Sequence, residues 1–166
     1  VITGIHHVIG AVEAQLIADT GRNFIMPLMS VALIAQGGAV LGFLLLNWKD
    51  AKVKQICISS FGSILFGISE PAIFGVTLKN KFPLIAGCLG ATLGGAYVYL
   101  THVTAIGFGA TAIPGIAIVA AEGNGHLNYI FAHLIALSAG FIFTYVYGKV
   151  KVKREVCLLY TSDAAD

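Results

Sequence analysis

Charge is the scarcest commodity in this sequence. Only 11% of its 166 residues are Asp, Glu, Lys or Arg, against roughly 25% in an average soluble protein, while 57% are hydrophobic and the mean hydropathy is +0.87. That composition excludes a soluble enzyme. The formal net charge of +2 is small, and its cations gather in short runs between apolar stretches, which argues membrane topology rather than nucleic acid. Cysteine is equally sparse. Cys57 and Cys88 lie in apolar segments and Cys157 near the end, with no CxxC or Cys/His spacing, so neither a disulfide framework nor a zinc site is supported. Phosphate loops, nucleotide fingerprints and catalytic triads are also missing. No metal, cofactor or catalytic residue is therefore expected.

What remains is a set of apolar runs. Residues 24–46, 83–100 and 128–148 are each long enough to span a bilayer, which takes ~20 residues. Lys49, Lys52 and Lys54 follow the first run, Lys79 and Lys81 precede the second, and Lys149, Lys151, Lys153 and Arg154 close the third. By the positive-inside rule all three clusters are cytoplasmic. Residues 101–125, rich in glycine and holding Pro114, are too broken for a simple span and read as an irregular or partly re-entrant connection on the far side. Gly87, Gly90, Gly94 and Gly95 give the second span a small-residue surface for close packing.

The stretch Gly67-Ile68-Ser69-Glu70-Pro71-Ala72-Ile73-Phe74-Gly75 organises the rest. It sets one carboxylate among apolar residues, between two runs (56–68 and 72–78) that are each too short to cross. Lysines stand at both outer ends, so a full crossing between Lys54 and Lys79 would spoil the charge pattern. Two half-helices that dip into the membrane and return are expected, with Glu70 and Pro71 at a non-helical tip framed by Gly67 and Gly75. Carboxylates inside membranes mark substrate or ion paths, and broken helices build such sites in transporters. The alternative is a carboxylate that merely caps a neighbouring helix. His6 and His7 are the second polar feature: an imidazole both donates and accepts hydrogen bonds, as a sugar hydroxyl requires.

The motifs Thr3-Gly4-Ile5-His6-His7, Asn23-Phe24-Ile25-Met26-Pro27, Ala35-Gln36-Gly37 and, above all, Gly67 to Val76 resemble the glucose-superfamily membrane permease domain (IIC) of the bacterial sugar phosphotransferase system. Residues 82–117 look most like its sucrose branch, with the β-glucoside and trehalose branches close behind. The resemblance implies an all-α polytopic helical bundle with re-entrant hairpins, corresponding to the carboxy-terminal, transport half of the domain. It implies a permease in the bacterial inner membrane that binds a sugar, carries it across by an elevator-like motion and presents it to a IIB domain for phosphorylation. Glu70, His6, His7, Ser69 and Asn23 are the implied sugar-contacting residues. IIA and IIB domains and, in the full-length protein, a second copy in a homodimer are the implied partners. Ser69 stands where the family most often has threonine, and Arg22 where a small residue is common. A proton-coupled sugar carrier using Glu70 as its titrating group is the competing reading.

Two expectations concern the ends. Val1 is no start residue and residues 1–18 are already patterned, so the amino-terminal half of the permease domain and the IIB domain, with its phosphate-carrying cysteine, are expected upstream. Without that cysteine the segment phosphorylates nothing alone. Residues 157–166 break the preceding pattern and read like a translated transposase-adapter end, so residues 1–156 are taken as the transport domain and the rest as a non-native tail. Removing Asp163 and Asp166 leaves 6 acidic residues against 10 basic ones, a formal +4.

Overall fold

The computed structural model describes the backbone of residues 6–107, 109 and 111–162, and the side chains of residues 8–107, 109, 111–121 and 123–150. The elements in order are α1 (His6–Thr20), α2 (Ile25–Leu46), α3 (Ala51–Leu65), α4 (Glu70–Ala72), a π-helical turn (Ile73–Thr77), α5 (Leu78–Asn80), α6 (Phe82–Leu100), α7 (Ala112–Gly115) and α8 (Gly125–Ser162). Among the described residues no strand forms; Ala105 makes isolated antiparallel bridges to Asn23 and Val119. The fold is all-α, as expected.

Helices α2, α6 and the Gly125–Val150 part of α8 are long and apolar enough to cross a membrane. The first two match the expected spans to within a residue, because a long apolar run leaves little choice of boundary. The third begins three residues earlier than expected. These helices pack as a three-membered body, and their small residues explain how closely. The hydrogen that stands for a side chain at Gly38 faces the Leu137 carbonyl, and that of Gly140 faces the Ala35 carbonyl, so α2 and α8 touch backbone to backbone. A Cβ on Gly90 would lie 2.6 Å from the Gly140 nitrogen, and one on Gly94 2.7 Å from the Ala136 Cβ. The small-residue surface of α6 thus packs within the chain. The outer faces of α6 and α8 expose Ile85, Leu89, Leu93, Phe131, Leu134 and Ile142, the pattern of a lipid-facing surface.

Asp50 starts α3 by accepting hydrogen bonds from the Lys52 and Val53 amides at 2.9 and 3.3 Å, an N-cap that satisfies donors the helix cannot. One face of α3, carrying Cys57, Ser60 and Ile64, is buried in the core shared with Ile34, Val40 and Phe43 of α2. The chain then turns at residues 66–69 and comes back through α4, the π-turn and α5. Val53 and Ile56, near the start of α3, share a small cavity with Lys79 and Asn80 at the end of the return arm. The two arms are therefore antiparallel, and neither reaches spanning length. The expected hairpin is present.

Its tip differs in detail from expectation. The irregular residues are Phe66 to Ser69, and Glu70 is already the first residue of the return helix. Pro71 sits in the first helical turn, where its missing N–H and fixed φ cost nothing. It therefore starts an arm rather than breaking one.

Candidate functional site

Gly67 ends α3. Its φ is +89°, a conformation that costs an L-residue ~1–2 kcal/mol. The Gly67 amide donates to the Ile64 carbonyl at 2.9 Å and the Ile68 amide to the Ser63 carbonyl at 3.0 Å, the paired bonds of a Schellman motif. The Ser69 carbonyl then accepts from the Ile73 amide at 2.9 Å and opens the return arm. Further along, Gly75 lets that arm close on α3: a Cβ there would come within 3.3 Å of Ile56 Cγ2. These glycines frame a tip on which Ser69 is half-buried and Glu70 exposed. The tip lies at the edge of the described fold, where Phe66, Ile68 and Phe74 are exposed as well.

The tip rests on a second irregular segment. A Cβ on Gly67 would lie 2.6 Å from Thr111 Oγ1, and Thr111 immediately precedes α7. The segment is tied at its base by Ile106 donating to Ile118 at 2.8 Å and Ala120 to Thr104 at 2.9 Å. At its far end a buried polar cluster holds it. The Ala112 amide donates to Ser30 Oγ at 2.7 Å, Tyr129 Oη donates to the Ala112 carbonyl at 3.1 Å, and Ser30 Oγ also contacts Tyr129 Oη at 2.6 Å and His133 Nε2 at 2.8 Å. His133 Nδ1 in turn lies 2.7 Å from the Tyr129 carbonyl. Ala112 itself has φ +55°, so the cluster fixes a residue in a conformation it would not otherwise prefer.

Sequence reasoning missed this cluster. Its one signal was the i, i+4 pair Tyr129 and His133 inside an apolar run, which puts two polar groups on one helix face. Gly67→Ala is expected to destabilise the protein by about 1–2 kcal/mol through φ alone, and further through Thr111. Thermal unfolding in detergent checks this, and an unchanged midpoint would contradict it.

Asn23 lies apart from the tip. It is fully buried, and its backbone pairs with Ala105 in both directions at 2.8 and 2.7 Å. Its Oδ1 accepts from the Ile25 and Met26 amides at 2.9 and 3.2 Å, and its Nδ2 reaches the Gly107 carbonyl at 3.5 Å. Asn23 also hydrogen-bonds to Glu13, which is 7% exposed. Burial pushes the Glu13 carboxyl above its ordinary value, and the Asn23 bond opposes that shift. The structure thus gives Asn23 a scaffolding place at the start of α2, with its polar atoms already engaged. Asn23→Leu should destabilise the fold by about 1–3 kcal/mol, since buried amides lose their acceptor, and this is again read by thermal unfolding. The side chains of His6 and His7 lie outside the described residues.

Comparison with known proteins bears on this arrangement directly. The family described as "Phosphotransferase system, EIIC" matches residues 1–91, which include the whole hairpin. The chain belongs to this family. As an EIIC segment it is 46% identical over 147 residues to the "PTS system sucrose-specific EIIBC component" of Bacillus subtilis (strain 168), covering 88% of this chain and 32% of that protein. It is 46% identical over 143 residues to the protein of the same description from Salmonella typhimurium, covering 85% and 31%. A "PTS system sucrose-specific EIIBCA component" from Pediococcus pentosaceus is 36% identical over 152 residues, covering 90% and 23%. The EIIC segment therefore spans about a third of the length of the first two relatives. No solved structure matches it. With three helices able to cross a bilayer, it is part of a multi-pass membrane protein.

Proposed function

We propose that this segment is the sugar-carrying half of a phosphotransferase-system permease in a bacterial inner membrane, and that its sugar is sucrose. The observation that carries the reading is the hairpin with Glu70 at its tip, in a chain whose relatives are named as sucrose-specific components. An ionised carboxylate is acceptor-only and suits the donating hydroxyls of a sugar. In this reading Glu70, Ser69 and the histidines His6 and His7 contact the sugar, while Asn23 anchors the start of α2. The sugar passes inward to a IIB domain, which phosphorylates it. The names EIIBC and EIIBCA support B and A components as partners, and the family resemblance supports a homodimer.

The deciding experiment gives radiolabelled sucrose to inverted and right-side-out vesicles containing the full-length protein. Accumulation of sucrose phosphate that requires phosphoenolpyruvate and the phosphocarrier proteins is expected. Free sucrose whose accumulation collapses with a protonophore would overturn the reading in favour of a proton-coupled carrier.

A further inference from the structure

Helix α3 has one buried face and one exposed face. The buried one, through Cys57, Ser60 and Ile64, packs on α2. At 100° per residue, Gln55 and Ser59 fall on the opposite side and Ser63 on its flank, in one i, i+4, i+8 row, with Lys52 and Gly62 beside it and the exposed Ile56 and Ile58 bordering it. Lys52, Gln55 and Ser59 are exposed and Ser63 is half-buried. The row starts at the lysine-bearing end of the hairpin and finishes one turn before the tip that presents Glu70. Over its first half the open outer surface of the helix is formed by Ala51, Lys54, Gln55, Ile58 and Ser59.

Hydrogen bonding along the row decides what it suits. Ser59 Oγ donates to the Ile56 carbonyl and Ser63 Oγ to the Ser59 carbonyl, each at 3.0 Å. Both hydroxyl protons are turned back into the helix, so the outward-facing lone pairs are acceptors. Gln55 adds an amide able to donate and accept. Lipid is a poor neighbour for an unbonded amide, since hydrocarbon offers it no partner. A polyhydroxylated solute supplies donors and acceptors at the spacing of neighbouring helical turns.

We propose that Gln55, Ser59 and Ser63 line the cytoplasm-facing leg of the sugar's path and hold its hydroxyls as it leaves Glu70. This proposal rests on the function proposed above and assigns that function a second contact region. The row acts on affinity. In the full-length transporter the double variant Gln55→Met, Ser59→Ala should raise the KM for sucrose about tenfold and leave the maximal rate within twofold.

A second measurement does not depend on transport. Ser59→Cys, combined with Cys88→Ala, should react with a charged thiol reagent added from the cytoplasmic side, and sucrose should slow the reaction, read by mass spectrometry of the peptide containing residue 59. Labelling by a lipid-soluble reagent alone, no labelling at all, or labelling that sucrose does not slow together with an unchanged KM would each overturn the proposal. If wild-type protein takes up sucrose and Glu70→Gln does not, any of these results removes the second region alone. If wild-type protein neither binds nor takes up sucrose, the function itself falls.

Discussion

Glu70→Gln in the full-length transporter is expected to lower sucrose uptake at least roughly 100-fold, with protein level and thermal midpoint unchanged. Gln keeps the size of Glu, but it exchanges two charged acceptor oxygens for one neutral acceptor and one donor. A hydrogen bond to a charged group contributes about 1.5–3 kcal/mol, so weakening two costs about 3 kcal/mol or more, which is the stated factor. The exposure of Glu70 on the tip makes the interpretation clean, because no neighbour in the described fold depends on its charge. Glu70→Asp, which keeps the charge but withdraws it by one methylene, should fall between the two. Near-normal uptake by Glu70→Gln would sink the assignment.

Gly140→Leu should prevent the three-helix body from forming. Its side chain would have to occupy the place of the Ala35 carbonyl, and backbone in the middle of a spanning helix cannot move aside as a side-chain end can. Overpacking a core costs about 1–3 kcal/mol even where side chains can adjust; here the helices must separate, and the spacing of α6 at Gly90 goes with them. Gel filtration of the solubilised protein should show aggregate in place of a single species. Gly95→Ala supplies the contrast, because its Cβ would meet only Leu28 Cδ2 at 3.7 Å. A Gly140→Leu protein that elutes and melts like wild type would refute the backbone contact of α2 and α8.

Much of this architecture can be read from residue order alone, for identifiable reasons. The spans follow from apolar runs that only a bilayer or a buried bundle accommodates, and the hairpin follows from lysines at both ends of a segment too short to cross. Gly90 and Gly94 announce close packing but not their partner, which a repeating pattern on one helix cannot name. In the Ser30, Tyr129 and His133 cluster only the i, i+4 pair shows in sequence; Ser30 stands about a hundred positions from it, and only the packing of α2 against α8 joins them. Asn23, a sugar contact by resemblance alone, shows another limit: its bonds to the Ile25 and Met26 amides are local, while those to backbone at 105 and 107 follow from no local pattern. Glu70 was found from its setting, whereas its place on the return arm depends on where α3 stops, and that is decided by Gly67.

The π-turn at Ile73–Thr77 has a consequence at the level of the gene. Each residue advances an α-helix by 100°, and a π-turn takes up more residues per turn than an α-turn does, so everything after Thr77 is rotated relative to an uninterrupted helix. Loss of a single codon within the turn would let the arm wind as plain α-helix and leave Lys79 and Asn80 close to their places beside Val53 and Ile56, because the turn holds one residue more than an α-helix uses over the same arc. The hairpin's inner end would therefore survive such a deletion, whereas a codon lost from the plain helical part of α3 would turn the residues beyond it by about 100°.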